Sequence, residues 1–482
     1  MSNFVYVVVG NLIIYGSNIL IYFFLARLLP VEEFATFRQL FLINSIISSF
    51  TISALPSCLL YFSGIAKNNK EKLYYIQATV LLTASISLVS ILLLHIFSNL
   101  ISNLFNNSSL EYLLPIFSFS ILGLTFSLIT PSILISKERS DLQIKLACIV
   151  ALSSSLPVIF IALLGYGILE IVQLYSLIYF FSGVFLLIFY LSLLRDIELR
   201  FSLEVIAISK KFFLYSWPLL VAGGLSILGL KIDHIVISSI IGLLAYGIYS
   251  AGSFEIPVFN ILQNSLSSVL LPKITRLIKE KDYGDAINLW KNSTKEIAWV
   301  TFPIALILIL HSQEVMLILF GPKYIDASPI FEIFTLLVFI RVLSFSLVLR
   351  SLAKTAFELL SVSLYLITAI IGAYFFTIYY GMEGAALWVV INTSLLAIFI
   401  GFMTYKLTDN NINLFKVYPK KEFILAILIF CLVSYFDFLV NDLISERLLV
   451  ISFNIILICS LWIISLRYFF DEKIIYIFNK QK

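Results

Sequence analysis

The sequence predicts an all-α polytopic membrane protein with about fourteen transmembrane helices. Three observations predict it. The 482 residues are 61% hydrophobic and only 12% charged, with a mean hydropathy of +1.03; a soluble domain carries about 25% charged residues. The apolar residues fall in runs of about 20, the length a helix needs to cross the hydrocarbon core. The basic residues alternate from loop to loop. Of 32 Lys and Arg, 26 lie in loops after even-numbered spans or in the C-terminal tail, 4 in loops after odd-numbered spans and 2 inside spans. Such a bias puts the even-side loops and both termini in the cytoplasm. A missed span would scramble the alternation beyond it, so the bias also supports the span count.

Taken in order, the apolar cores are 4–26, 40–62, 74–97, 113–136, 143–164, 169–194, 212–240, 243–271, 297–320, 329–349, 356–378, 385–405, 423–440 and 448–466. The first is long and lacks a basic leading segment, so it reads as a span and not as a cleavable signal. The loop Lys273–Glu296 reads as an amphipathic surface helix and a polar link. The outward loops are short: Asn99–Glu111 is rich in Asn and Ser, and Asp437–Arg447 carries Asp437, Asp442 and Glu446. Cys58, Cys148, Cys431 and Cys459 lie far apart in or near apolar runs and read as small hydrophobes. The net charge of +4 is dispersed among loops and implies no nucleic-acid partner.

The chain repeats. Tyr166-Gly167 recurs as Tyr380-Gly381 and Pro115-Ile116-Phe117 as Pro329-Ile330-Phe331, both at an offset of 214; Phe34-Ala35-Thr36-Phe37 matches Tyr246-Gly247-Ile248-Tyr249 at 212. The offset spans six helices, an even number, so both copies cross the membrane in the same sense. That predicts two six-helix lobes, 1–200 and 201–410, related by a pseudo-two-fold axis along the membrane normal. Residues 411–482, with the last two helices and the tail, are appended.

Several motifs carry a family resemblance. Leu25-Ala26-Arg27-Leu28-Leu29-Pro30 and Glu33-Phe34-Ala35-Thr36-Phe37 follow the first span. Tyr246-Gly247-Ile248-Tyr249-Ser250-Ala251 opens the eighth, which Leu271-Pro272 closes. Phe320-Gly321-Pro322-Lys323-Tyr324 precedes the tenth span, and Tyr380-Gly381-Met382-Glu383-Gly384-Ala385-Ala386 the twelfth. In order and spacing they resemble the polysaccharide transporters, the O-antigen-type flippases, of the multidrug/oligosaccharidyl-lipid/polysaccharide exporter superfamily, over essentially the whole chain. The resemblance implies alternating access around a cavity lined by spans one, two, seven and eight. The implied substrate is an undecaprenyl-diphosphate-linked oligosaccharide. The other implied partners are membrane lipids, a coupling proton or sodium ion, and a polysaccharide polymerase with its chain-length regulator; no cofactor is implied. Family members often have twelve spans; the extra pair resembles that of the lipid-II flippase branch, where it contributes a lipid-tail groove.

A sugar-diphosphate can cross hydrocarbon only if polar and cationic groups offset its desolvation. Arg suits a diphosphate through its forked donors, Lys as a point charge. In the first span Asn11, Tyr15, Asn18 and Tyr22 share one helical face, which either meets sugar or hydrogen-bonds between helices. Arg38 in the second span either binds diphosphate or snorkels to head groups. In the seventh, Lys231, His234 and Ser238 share a face behind Gly223, Gly224 and Gly229, while Asp233 points elsewhere. Lys231 and His234 are substrate candidates and Asp233 an ion-coupling candidate, against a structural Lys–Asp pair. In the eighth, Glu255 is a candidate titratable gate or a salt-bridge partner, for instance of Lys231; Tyr249 and Asn260 add polar faces, and Pro257 is a kink. Arg341 is a mid-span anion candidate or a partner to an acidic residue. Arg350, Lys354 and Glu358 read as an exposed ladder, Glu170 and Glu383 as helix-start charges.

A drug or metabolite exporter of the same superfamily is the competing transport reading. A membrane-embedded glycosyltransferase or polymerase is disfavoured: the outward loops are short, and there is no Asp-x-Asp pair, no HExxH and no nucleotide-cradling glycine loop. The expectation is a transporter with no catalytic residues.

Overall fold

The computed structural model describes residues 3–194, 203–345, 347–352, 354–440 and 447–469, all in helices and their connections, without a strand. The first half runs α1 (Asn3–Leu28), α2 (Val31–Thr51), α3 (Leu55–Ile65), α4 (Asn69–Leu104), α5 (Ser109–Ser118), α6 (Ser120–Ser136), α7 (Leu142–Leu163) and α8 (Ile168–Leu193). It is followed by α9 (Leu203–Ile240), α10 (Leu243–Gly252), α11 (Pro257–Lys279), α12 (Tyr283–Leu310) and α13 (Ser312–Leu319). A 3-10 turn at Pro322–Ala327 leads to α14 (Ser328–Thr335), α15 (Leu337–Arg341), α16 (Leu347–Ser351), α17 (Thr355–Leu407), α18 (Leu414–Val417), α19 (Lys420–Val440) and α20 (Arg447–Phe469).

Local chemistry accounts for the boundaries. Pro30 stops α1 and precedes the first turn of α2. The Asn68 side chain accepts from the Glu71 amide at 2.8 Å, and the Glu71 carboxylate accepts from the Lys67 amide at 2.8 Å. This reciprocal cap starts α4. Within the apolar helices, hydroxyls bond back to their own backbone, as Ser87 does to Thr83 O at 2.7 Å while sharing a 2.8 Å bond with Thr125. Large side chains such as Ile96 (71% exposed) and Ile318 (67%) stand outward, a surface suited to lipid.

The chain forms two compact units: Met1–Ala251 with Leu319–Tyr324 and Val362–Ala385, and Gly252–Ile318 with Ile325–Ser361 and Ala386–Lys482. In the first, α1 packs along α7, α2 along α9 and α6 across α8. The α6–α8 crossing is built on glycine: a Cβ on Gly123 would lie 2.0 Å from Tyr179 O, and one on Gly183 2.7 Å from Gly123 N. Phe62, Phe126, Tyr190 and Phe212 fill the core beside it. In the second unit α19 and α20 pack on α12. The Trp462 indole donates to Trp299 O at 2.9 Å, with the two rings 4.9 Å apart. The appended helices are thus part of that unit's core.

Among the described residues seven helical segments are long and apolar enough to cross a membrane, and the bent pair α5–α6 makes an eighth. The fourteen runs and the helices differ chiefly at breaks in the backbone. α17, 53 residues long, has enough residues for two crossings of about 20 each. A kink at Gly381 (φ +64) divides it into two helices, which match runs 356–378 and 385–405. Runs 243–271 and 329–349 are interrupted by non-helical backbone. The first and last runs match α1 (Asn3–Leu28) and α20 (Arg447–Phe469).

Gly123→Ala should lower stability by about 1–3 kcal/mol, because its Cβ would meet backbone and not a movable side chain. Gly16→Ala, with nothing within 4 Å of its Cβ, should leave stability unchanged. Thermal unfolding of the detergent-purified variants checks both.

Candidate functional site

The first cluster lies within the first unit, where α9 turns at Gly242 (φ +114) into α10. Asp233 and His234 are 1% and 3% exposed. Tyr249, fully buried on α10, donates its hydroxyl to Asp233 Oδ2 at 2.6 Å. The other oxygen, Oδ1, has no hydrogen bond among the described residues. The His234 ring stands edge-on to Tyr246 and Tyr249, at 5.9 and 5.3 Å between centroids. Half-buried Lys231 interacts electrostatically with both Asp233 and His234. One helical turn further, Gln39 on α2 donates to Ser238 at 2.6 Å and accepts from Asn107 at 2.6 Å. Asn107 also donates to Thr36 at 3.0 Å. This buried network fastens α9 to α2. Arg38 lays its guanidinium over Tyr22, 4.6 Å from the ring centroid, and reaches Ser250 O at 3.5 Å. It is held against α1 and α10 by cation–π and hydrogen-bond contacts.

The second cluster lies within the second unit and is built on two broken helices. Between α10 and α11 the backbone is extended over Phe254–Ile256, with Pro257 opening α11. α15 ends at Arg341, and Ser344 takes φ +45 before α16 begins. The Arg341 Nη1 is 2.7 Å from Glu255 Oε2, to which Asn260 also donates at 3.2 Å. The side chains of Arg341 and Glu255 keep 21% and 34% exposure. A broken helix leaves carbonyls short of partners, and long side chains add donors here; Arg341 O also accepts from the Ser344 amide at 3.0 Å. Gln263 donates to Arg341 O at 2.6 Å, the Trp290 indole to Leu343 O at 3.0 Å and Tyr418 to Phe339 O at 3.2 Å. The ion pair opens on a cleft of about 40 Å³, lined also by Phe254, Phe259, Phe331 and Phe334. That volume holds roughly three waters. Unwound backbone beside charged side chains is tolerated at membrane depth where it lines such a space.

The predicted residues therefore separate into two groups. Asp233, His234, Tyr249, Lys231 and Arg38 gather in one unit, and Glu255, Asn260 and Arg341 in the other. The carboxylate that the sequence offered to Lys231 is bonded to Arg341, and the hydroxyl of Tyr249 is taken by Asp233. Tyr15 is 62% exposed on α1, and Asn18 is half-buried with an Oδ1 that makes no hydrogen bond among the described residues. The side chain of Asn11 lies outside the described residues. Arg350 forms an exposed 2.7 Å pair with Glu358. Sequence reading missed Gln39, Tyr246 and Gln263. Gln263 left a signal, three residues after Asn260 on the same helix, and Tyr246 stood out only as part of a family motif, not as a site candidate.

Comparison with known proteins adds the family. The model of a family described as polysaccharide biosynthesis protein matches residues 24–329. The chain belongs to this family. It is 29% identical over 139 residues to the capsular polysaccharide biosynthesis protein CapF of Staphylococcus aureus; the match covers 28% of this chain and 34% of that relative. Its fold is that of the lipid II flippase MurJ in an inward closed conformation, with TM-score 0.71, 19% identity and coverage of 96% of this chain and 99% of the other. An inward-facing multidrug resistance MATE family transporter of the MOP superfamily follows, with TM-score 0.61, 13% identity and coverage of 85% and 99%. The protein is a multi-pass membrane protein with the fold of these transporters.

In this family member the motifs that signal kinship are joints. Glu33 accepts from the Ile168 amide at 2.8 Å, at the start of α8 beside Tyr166-Gly167, where an anion suits the helix N-terminus. Lys323 caps the end of α1 through Leu29 O at 3.0 Å and Arg27 O at 3.4 Å. Phe320 and Tyr324 pack on Phe34, at 6.5 and 5.5 Å.

Arg341→Met and Glu255→Gln should each cost about 1–3 kcal/mol, less than a fully buried pair because both groups keep some solvent. Their double variant should cost clearly less than the sum, a coupling that a double-mutant cycle in detergent unfolding measures.

Proposed function

We propose that the protein is a flippase. It moves an undecaprenyl-diphosphate-linked oligosaccharide repeat unit from the inner to the outer leaflet of the bacterial cytoplasmic membrane, both its termini lying in the cytoplasm. The lobes 1–200 and 201–410 alternate access while the lipid tail stays in the bilayer. The observation that carries this reading is the Glu255–Arg341 pair at two helix breaks, part-exposed in a cleft, in a chain of a polysaccharide biosynthesis family. The capsular relative and the likeness to a lipid II flippase support the same substrate chemistry.

The pair suggests how an anion and an ion could exchange. With Glu255 ionised, Arg341 is neutralised internally. Protonation or cation binding at Glu255 removes that partner, and the guanidinium then presents its fork to an incoming diphosphate. Loss of the ion restores the pair and expels the anion. Asn260 and Gln263 hold the two ends in register. Lys231 and Arg38, in the first unit, are separate cationic candidates. Asn11, Tyr15, Asn18, Tyr249 and His234 are the sugar-side candidates, and Asp233 is a second ion-coupling carboxylate. All the chemistry is exchange of non-covalent partners, so no catalytic residue is required.

The test is translocation of a fluorescent polyprenyl-diphosphate-linked oligosaccharide in proteoliposomes, scored by protection from an impermeant glycosidase. Wild-type protein should accelerate flipping, and Glu255→Gln and Asp233→Asn should slow it by ~10-fold or more at equal reconstitution. Flipping no faster than in protein-free vesicles, together with extrusion of small cationic dyes, would instead establish the exporter reading.

A further inference from the structure

A second cavity lies in the same unit, remote in sequence from the ion pair, where α12 meets the α18–α19 connection. It is an open pocket of about 490 Å³, within the range of small-ligand sites. Five lysines line it: Lys291 and Lys295 from α12, Lys416 from α18, and Lys420 and Lys421 from the first turn of α19. Among the described residues none of the five ammonium groups pairs with a carboxylate. The one acidic residue in the wall is Glu422, which is 4% exposed and whose Oε2 has no hydrogen bond among the described residues. Phe415, 62% exposed, and Tyr418 supply an apolar side.

This arrangement is costly without a ligand. Five like charges around one cavity repel one another. Two of them sit at a helix N-terminus, the end that disfavours cations and favours anions. Basic clusters at the ends of membrane-embedded helices meet the head-group layer, where they attract anionic phosphates. The buried carboxylate oxygen adds an acceptor that a bare phosphate cannot use but a hydroxyl can.

We propose that this cavity binds a phosphate ester carrying free hydroxyls. The lysines hold the phosphate, Glu422 accepts from a hydroxyl, and Phe415 and Tyr418 cover the apolar side. Two sources share that chemistry, the glycerol-phosphate head group of an anionic phospholipid and a soluble polyol phosphate. Either would occupy the foot of α19, far along the chain from Glu255 and Arg341, and so serve as a site separate from the proposed transport path.

Native mass spectrometry of the full-length protein, titrated with phosphatidylglycerol or phosphatidylcholine, tests this. Phosphatidylglycerol should bind roughly tenfold tighter or better, with a preference that weakens as salt rises. The variant K291Q/K295Q/K420Q/K421Q should lose the preference, and the matching four Lys→Arg changes should keep it. Displacement by glycerol 3-phosphate at matched concentration assigns the site to a soluble phosphate, and its failure to displace assigns the site to the lipid. Equal binding of the two lipids by wild-type protein, or a preference unchanged in the glutamine variant, overturns the proposal.

Discussion

An ionisable side chain inside an apolar helical protein must find its partner within the fold, because lipid offers none. The two clusters meet this constraint in different ways. Asp233 is buried and accepts from the Tyr249 hydroxyl. Glu255 meets a full counter-charge in Arg341 and keeps part of its surface in a cleft. The first arrangement fixes α10 on α9. The second leaves both charges partly exposed.

Broken helices make the second arrangement feasible. A plain break would leave carbonyls short of donors in a low-dielectric interior. Gln263, Trp290 and Tyr418 donate to three carbonyls at the break, from α11, α12 and the α18–α19 connection. The cleft is therefore stiff at its rim. α19 contributes to that rim through its connection, and α20 locks onto α12 through Trp462. The appended helices thus buttress the segment that carries the pair.

Much of this was legible in the sequence, and the residue types explain which part. Spans were readable because apolar length and basic-loop alternation are local properties. The interruptions were partly readable at Pro257 and invisible at Ser344, where the positive φ has no glycine to announce it. Charged candidates stood out singly, since each violates the apolar pattern. Their partners did not, because Glu255 and Arg341 are 86 residues apart and helical phase says nothing about which helix lies opposite. The kinship motifs hold helix ends together. Glu33 caps α8, and Lys323 caps α1. These residues sit at joints between helices, so they point to the family without locating its chemistry.

The central claim is that charge is held in a water-reached cleft at two helix breaks. Cysteine labelling at Asn260 tests it most directly, in a background with Cys58, Cys148, Cys431 and Cys459 replaced. The account predicts that Asn260→Cys reacts with a hydrophilic, membrane-impermeant thiol reagent, and that a diphosphate-linked saccharide slows the reaction. Labelling only by lipid-soluble reagents, or none by either kind in the folded protein, would contradict it.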